Sequence, residues 1–410
     1  MNSSLPTTEP IFPQRLVPLF FAQAMVTLGT TFLQLGFFFY ATDRWGWEPR
    51  QNLSLAAVQG LAYVVGALCS SAITRRIGRK GSIILLPTAF CIVALLCGLL
   101  CKQHVAVVSL LVLLYFLTAA YWPVLESLVA AGANADDMAR RLSVYNLIWP
   151  FVGAVATAIC GLVIAHLPTG LFYISAAINA LGALIIWMGG HQPAEKLKTA
   201  IELPTPPPEP ALLRQRTLAL WLSRIALPST YLVAYALAAL MPTLPSLASQ
   251  PVSMQTAIGS IWLIGRWLAF CLLAVSAFWH TRPRLLIVAS LIMFAAFVVI
   301  CIPLGKPGSH FDLWTMMIAQ FVLGGTLALI YSASLYFGMV LSDASTEHGG
   351  YHEALIGLGQ ILGPGVAAGA QFIRPGTVVP AVAAISAMLT LSLAASWYAS
   401  LHFSRPVRIE

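Results

Sequence analysis

The sequence predicts an all-α integral membrane protein, with twelve transmembrane helices in two pseudo-symmetric six-helix bundles. Three observations carry that expectation. Of the 410 residues, 59% are hydrophobic and only 9% are charged, against roughly a quarter charged in a soluble globular protein. Apolar runs recur along the whole chain at the length of a bilayer crossing, roughly 20 residues for a hydrocarbon core of about 30 Å. The two halves of the chain also carry paired features. Fourteen acids and 22 bases cannot coat a 44.0 kDa protein that meets water on every side, and the mean hydropathy is +0.84. A cytosolic enzyme, a disordered scaffold and a secreted disulfide domain are excluded.

Read between polar punctuation, the first six spans fall near residues 16–41, 52–73, 81–101, 105–128, 142–165 and 171–189. The second six fall near 217–241, 254–279, 285–303, 313–337, 354–372 and 378–402. The expected organisation is an N-terminal bundle over 1–190, a linker over 191–216 and a C-terminal bundle over 217–410. The linker holds Glu195, Lys196, Lys198, Glu202, Glu209 and the run Pro204-Thr205-Pro206-Pro207-Pro208, a composition that stays outside the membrane and is semi-rigid. The first apolar stretch is too long for a cleavable signal and lacks a small-residue cleavage site.

Basic residues set the orientation. With a cytoplasmic N-terminus, fifteen lie on the cytoplasmic side, among them Arg75, Arg76, Arg79, Lys80, Arg140, Arg141, Arg214, Arg216, Arg282 and Arg284. Five lie on the other side: Arg44, Arg50, Lys102, Lys306 and Arg374. Both termini are therefore expected inside, and the net charge of +8 reflects topology and anionic headgroups rather than nucleic-acid binding. Only Arg224 and Arg266 remain, and both fall within spans.

The halves look related. Thr74-Arg75-Arg76 after span two matches Thr281-Arg282-Pro283-Arg284 after span eight, and Tyr121-Trp122 late in span four matches Tyr336-Phe337 late in span ten. Parallel six-helix halves joined by a cytoplasmic linker are the sequence sign of an alternating-access transporter. The seven cysteines lie in or at the ends of spans with no CxxC pair, so they read as small hydrophobes, with no metal and no disulfide framework.

The segment Arg75-Arg76-Ile77-Gly78-Arg79-Lys80 between spans two and three resembles the signature loop of the major facilitator superfamily, and the resemblance extends over essentially the full chain. The Arg76-x-Gly78-Arg79-Lys80 half of the pattern is intact. Arg75 stands where the family has an acid, and Ser71 where it has a glycine. The resemblance implies the major facilitator fold and a gating role for Arg75, Arg76, Gly78, Arg79 and Lys80, but the missing acid puts the family's charge latch in doubt. Trp149-Pro150 and Gly153…Gly161 match the drug-antiporter motif of span five only loosely. Gly349-Gly350-Tyr351-His352-Glu353-Ala354 resembles a bacterial branch of the superfamily, which implies a bacterial inner (plasma) membrane and supplies no substrate.

Ionisable residues inside the hydrocarbon are costly and mark functional candidates. Arg266, near the middle of span eight, is too deep to snorkel. Its guanidinium fork suits a carboxylate, sulfate or phosphate, with Trp262 one turn earlier and Trp267 beside it as an aromatic wall. The competing reading is a structural Arg paired with a carboxylate or with broken-helix carbonyls. Monocarboxylate carriers of the superfamily are similar in placing an arginine in span eight, but their accompanying acid is replaced here by Trp262. Arg224 is a second candidate cation, close enough to the cytoplasmic end of span seven to snorkel.

Proton-coupling candidates are Glu353, His352 and Glu126, because burial and nearby charge shift such groups toward physiological pH. Helix capping competes for Glu353, and pairing with Arg140 or Arg141 competes for Glu126. Candidate cavity polar groups are Gln34, Gln59, Tyr145, Asn146, Gln320 and Gln360, with interhelical hydrogen bonding as the alternative use. Gly363-Pro364-Gly365 reads either as a hinge or as close packing.

The expected activity is secondary transport of a small organic anion, coupled to protons, by a monomer surrounded by lipid and needing no cofactor. Efflux of amphipathic drugs is the alternative within transport, disfavoured by a buried base where a buried acid is wanted. A receptor or lipid-modifying enzyme is the alternative of another class. No HExxH, GxSxG or DxD cluster and no Walker A motif occurs, so no enzyme or ATP-driven pump is expected.

Overall fold

The computed structural model describes residues 16–131, 135–189, 209–276, 278–341 and 346–403, which contain helices and no strand. The helices are α1 (Leu16–Gln34), α2 (Gly36–Trp45), α3 (Pro49–Leu99), α4 (His104–Ala130), α5 (Ala135–His166), α6 (Gly170–Met188) and α7 (Pro210–Leu240). They continue with α8 (Val252–Gly259), α9 (Ile261–Val275), α10 (Leu285–Cys301), α11 (His310–Leu341), α12 (Thr346–Ala370) and α13 (Val379–Phe403). Among the described residues, nine helical stretches are long and apolar enough to cross a membrane, α1–α2 and α8–α9 each forming one. The difference from twelve has local causes. α3 runs two expected spans together across a bend at Gly78, α10 has only 17 residues, and α12 opens on the polar sequence Thr346-Glu347-His348.

α3 is 51 residues long, about 76 Å if straight at 1.5 Å per residue, which is far more than one bilayer. It folds back on itself. Ser70 Oγ donates to the Ala120 carbonyl at 2.9 Å, and the Phe90 ring lies 5.7 Å from the Tyr121 ring. Residues 70 and 90 can meet the same turn of α4 only if the chain reverses between them. The reversal is at Gly78, with φ 76 and ψ 159, a conformation that only glycine adopts without strain. Nothing stands within 4 Å of where its Cβ would be, so backbone geometry and not space requires the glycine. Arg75, Arg76, Arg79 and Lys80 are all exposed at this bend, and none lies within 4.0 Å of a carboxylate among the described residues.

α7 begins at Pro210, so residues 210–216, expected as linker, are the first turns of a helix with proline at its favoured first position. Residues 190–208 of the expected linker lie outside the described residues. α7 is also the most enclosed crossing, with 78% of its apolar window buried against 28% for α13. Small residues bring its neighbour close. A Cβ on Gly359 would strike the Pro228 carbonyl, and one on Gly363 the Leu232 backbone. α12 is continuous through Pro364, while Gly365 faces Ala57 of α3. The repeat noted in the sequence has a packing counterpart. The rings of Tyr121 and Trp122 stand 5.1 Å apart at 69°, and those of Tyr336 and Phe337 stand 5.1 Å apart at 77°.

At the end of the molecule poor in arginine, residues from before and after the linker interlock. The Gly161 N–H of α5 donates to Thr256 Oγ1 of α8 at 3.1 Å, and the same hydroxyl lies 3.3 Å from the Ala158 carbonyl. A side chain at 161 would collide with Thr256 and with the Val252 carbonyl. Nearby, the Gly60 backbone of α3 rests on the Gln360 backbone of α12. At both seams a glycine meets a neighbouring backbone, and at Gly161 the Thr256 hydroxyl as well, so they tolerate no added volume. Gly161→Leu is expected to wedge α5 from α8. Spin labels at the exposed positions Leu167 and Met254, in a cysteine-free background, should report a longer distance in this variant, and an unchanged distribution would show that the seam is not so constrained.

Candidate functional site

α9 carries Arg266, and its register is fixed from behind. Gly265 abuts the Phe321 backbone of α11, and Gly324 of α11 abuts the backbone of Trp262 and Arg266. With one face locked against α11, the opposite face aims Trp262 and Arg266 inward, one turn apart. Arg266 is 3% exposed. Its guanidinium lies 4.5 Å from the centre of the Trp149 ring, 5.4 Å from Tyr331 and 5.7 Å from both Tyr231 and Phe270. One Nη donates to the Tyr231 hydroxyl at 3.3 Å, and Nε has no hydrogen-bond partner. No carboxylate lies within 4.0 Å among the described residues. The group is a desolvated cation caged by ring faces.

This side chain lines a cavity of about 200 Å³ walled by α1, α2, α3, α4 and α5 on one side and α7, α9, α11 and α12 on the other. Ten of its residues are aromatic, including Tyr63, Tyr115, Tyr145, Tyr231, Tyr235 and Tyr331. Thr27, Thr30 and Thr31 add hydroxyls, while Gln34 and Gln360 add amides. Gln34 Nε2 donates to Thr118 Oγ1 at 3.3 Å, and Gln360 Oε1 has no partner. Two carboxylates complete the lining, Glu126 and Glu353. Tyr145 of α5 lines the same cavity as these two acids. The idea that the cavity holds a base and no acid is therefore corrected: one arginine faces two carboxyls.

Of the residues expected here, Arg266, Trp262, Gln34, Tyr145, Gln360, Glu126 and Glu353 come together. Arg224, Gln59, Asn146, Gln320 and His352 are not among the lining residues. Arg224 and Asn146 are half-buried in α7 and α5. Gln59 and Gln320 are fully buried, with neither amide atom hydrogen-bonded. His352 turns toward α11, with Nδ1 3.1 Å from Ser334 Oγ and its ring 4.9 Å from Tyr331. Trp267 packs on Phe151 at 5.1 Å instead of walling the cavity; Trp149 and the tyrosines form that wall. Their signal was the four-residue spacing of Tyr145 with Trp149 and of Tyr231 with Tyr235, which puts each pair on one helix face.

A family profile described as the Major Facilitator Superfamily matches residues 19–364. The chain belongs to the major facilitator superfamily. It is a membrane transporter and not an enzyme. Its architecture is similar to that of the nucleoside transporter NupG, at 14% identity and a TM-score of 0.68, covering 96% of this chain and 100% of that one. It is equally similar to a bacterial homologue of the human lysosomal transporter Spinster, in an inward-facing and occupied conformation. That match has 15% identity and a TM-score of 0.68, covering 97% and 100% of the two chains. At these identities the likeness concerns the fold. No functionally curated protein matches the sequence.

In this superfamily member the buried, unpaired charge of Arg266 opposes folding, because desolvating an ion costs several kcal/mol. Each ring contact returns roughly 0.5 to 2 kcal/mol. Arg266→Met keeps the length and removes the charge. We expect the purified variant to melt at or above the wild-type temperature; a drop of more than about 5 °C, on the order of 1–2 kcal/mol, would mean that the cage holds the helices together.

Proposed function

We propose that the protein is a secondary active transporter that carries a small organic anion by alternating access, coupled to protons. The observation that carries this reading is the Arg266 guanidinium, buried in the cavity, partnered by rings and one hydroxyl, with no carboxylate within 4.0 Å among the described residues. A carboxylate-bearing substrate supplies the missing counter-charge and reaches the free Nε. An aromatic wall favours a flat, apolar body behind that carboxylate. Glu126 and Glu353, facing the same cavity, serve as proton carriers, since two neighbouring carboxyls and one cation change their proton count when an anion enters.

In this reading two bundles, 1–190 and 217–410, rock about the cavity and are joined by the 191–216 segment. The arginine-rich end faces the cytoplasm in a bacterial inner membrane, with both termini inside. The arrangement with the Gly161–Thr256 seam closed corresponds to an inward-facing state of a working monomer. Arg224 and His352 act at most from outside the lining, as do Gln59, Asn146 and Gln320. The loop residues Arg75, Arg76, Gly78, Arg79 and Lys80 serve as a gate hinge without the family's acid, and Gly363-Pro364-Gly365 as packing for the moving helix.

A second reading has one observation in its favour. Six tyrosines with the amides of Gln34 and Gln360 also suit an uncharged aromatic heterocycle, and NupG is a nucleoside transporter. Drug efflux fits less well, because about 200 Å³ is below the roughly 300–1,000 Å³ of drug-sized pockets.

Uptake into proteoliposomes of labelled aromatic carboxylates and of nucleosides, with and without a pH gradient acidic on the outside, separates the readings. Carboxylate uptake is expected, at least tenfold weaker in Arg266→Ala and partly restored in Arg266→Lys, which keeps charge but not the fork. Nucleoside uptake indifferent to Arg266→Ala would replace the anion reading by the second. Glu353→Gln should abolish pH-driven accumulation while sparing counterflow exchange. Accumulation at the wild-type level would remove Glu353 from proton coupling.

A further inference from the structure

Outside the transport cavity, three arginines from two distant segments converge on one cleft. It is lined by Arg214, Gln215 and Leu218 from the first turns of α7, and by Arg282, Arg284 and Val288 from the α9–α10 connection and the start of α10. The Gln215 side-chain amide donates to the Thr281 carbonyl and ties the two segments together. No carboxylate lies within 4.0 Å of these arginines among the described residues. At His280, next to Thr281 of the cleft, burial first and then the charge of Arg216 hold the imidazole below the ordinary value.

The positive-inside rule explains why arginines sit on this side of the membrane. It does not explain why they gather from separate segments over an apolar floor of Leu218, Leu285 and Val288. The surface below the cleft is equally specific. On α7, Arg214, Leu218 and Trp221 follow one face at helical spacing; Leu218 is buried at the cleft and Trp221 is exposed below it. On α10, Val288, Leu291 and Ile292 do the same, and all three are exposed. Both helices start at the cleft and run into the membrane, so a cationic mouth leads onto an exposed apolar track on α10 flanked by Trp221 of α7.

We propose that this cleft binds the phosphate of an anionic phospholipid headgroup, with the acyl chains lying along α10 beside Trp221 of α7. The arginines clamp the phosphate oxygens, to which the guanidinium fork is matched. The apolar track selects a lipid over a free anion. Basic residues at this level contribute about fivefold each in binding of anionic lipid.

The test is native mass spectrometry of the full chain in detergent. It is given equal amounts of phosphatidylglycerol and phosphatidylcholine with identical acyl chains, with the melting temperature followed in parallel. The wild type is expected to retain the anionic lipid in preference and to be stabilised by it, and Arg282→Gln with Arg284→Gln should reduce that preference at least fivefold. An excess of inorganic phosphate should leave the bound lipid in place. Equal occupancy by the two lipids in the wild type overturns the proposal, and this needs no variant. So does full preference retained in the double variant. Displacement by inorganic phosphate overturns it in favour of a free-anion site. If the double variant does not fold, Arg214→Gln replaces it under the same criteria.

Discussion

One buried positive charge organises the middle of this protein. Arg266 has been drawn out of water to 3% exposure, at a cost of several kcal/mol for an unpaired ion. The ring faces of Trp149, Tyr231, Phe270 and Tyr331 stand within about 6 Å of it and offset part of that cost. Trp149 comes from α5, in the first half of the sequence, and the other three come from α7, α9 and α11, in the second half. The cage therefore exists only while the two parts of the chain are together, so any rearrangement that separates them also changes how well the cation is solvated.

Close backbone approach makes that geometry firm. Gly265 and Gly324 let α9 and α11 touch, Gly359 and Gly363 do the same for α12 and α7, and Gly161 admits Thr256. In a bilayer, where lipid is as apolar as leucine, such contacts and a few hydrogen bonds do the work that hydrophobic burial does in water. The cavity is what remains where large aromatic residues replace these glycines and hold the helices apart.

Much of this was legible in the sequence, for reasons particular residues make plain. The bend at Gly78 could be read because four basic residues surround a glycine between two apolar runs. Arg266 stood out because an arginine twelve and thirteen positions from the two ends of the 254–279 span is too deep to snorkel. The start of α7 was placed late, at 217, although Glu209-Pro210 is a good helix opening; the preceding prolines masked it. Of the lining tyrosines only Tyr145 was named; Tyr63, Tyr115, Tyr231, Tyr235 and Tyr331 were missed because aromatic residues are common in spans, and a face can be assigned only once the neighbours are known. The same blindness put Gln59 and Gln320 in the cavity with Gln34 and Gln360. An amide looks alike in sequence whether it lines a cavity or is sealed between helices, and helix tilt, which decides it, is set by packing.

The bend in α3 carries a mechanical consequence. Its two arms are joined by a single residue of non-helical backbone, with no loop to absorb relative displacement. One arm meets α12 at Gly60 and the other meets α4 at Phe90. A shift of α12 against the first arm is thus delivered to the second with little slack, as through a folded spring leaf. A lengthened bend would uncouple the arms while leaving every contact in the cavity in place.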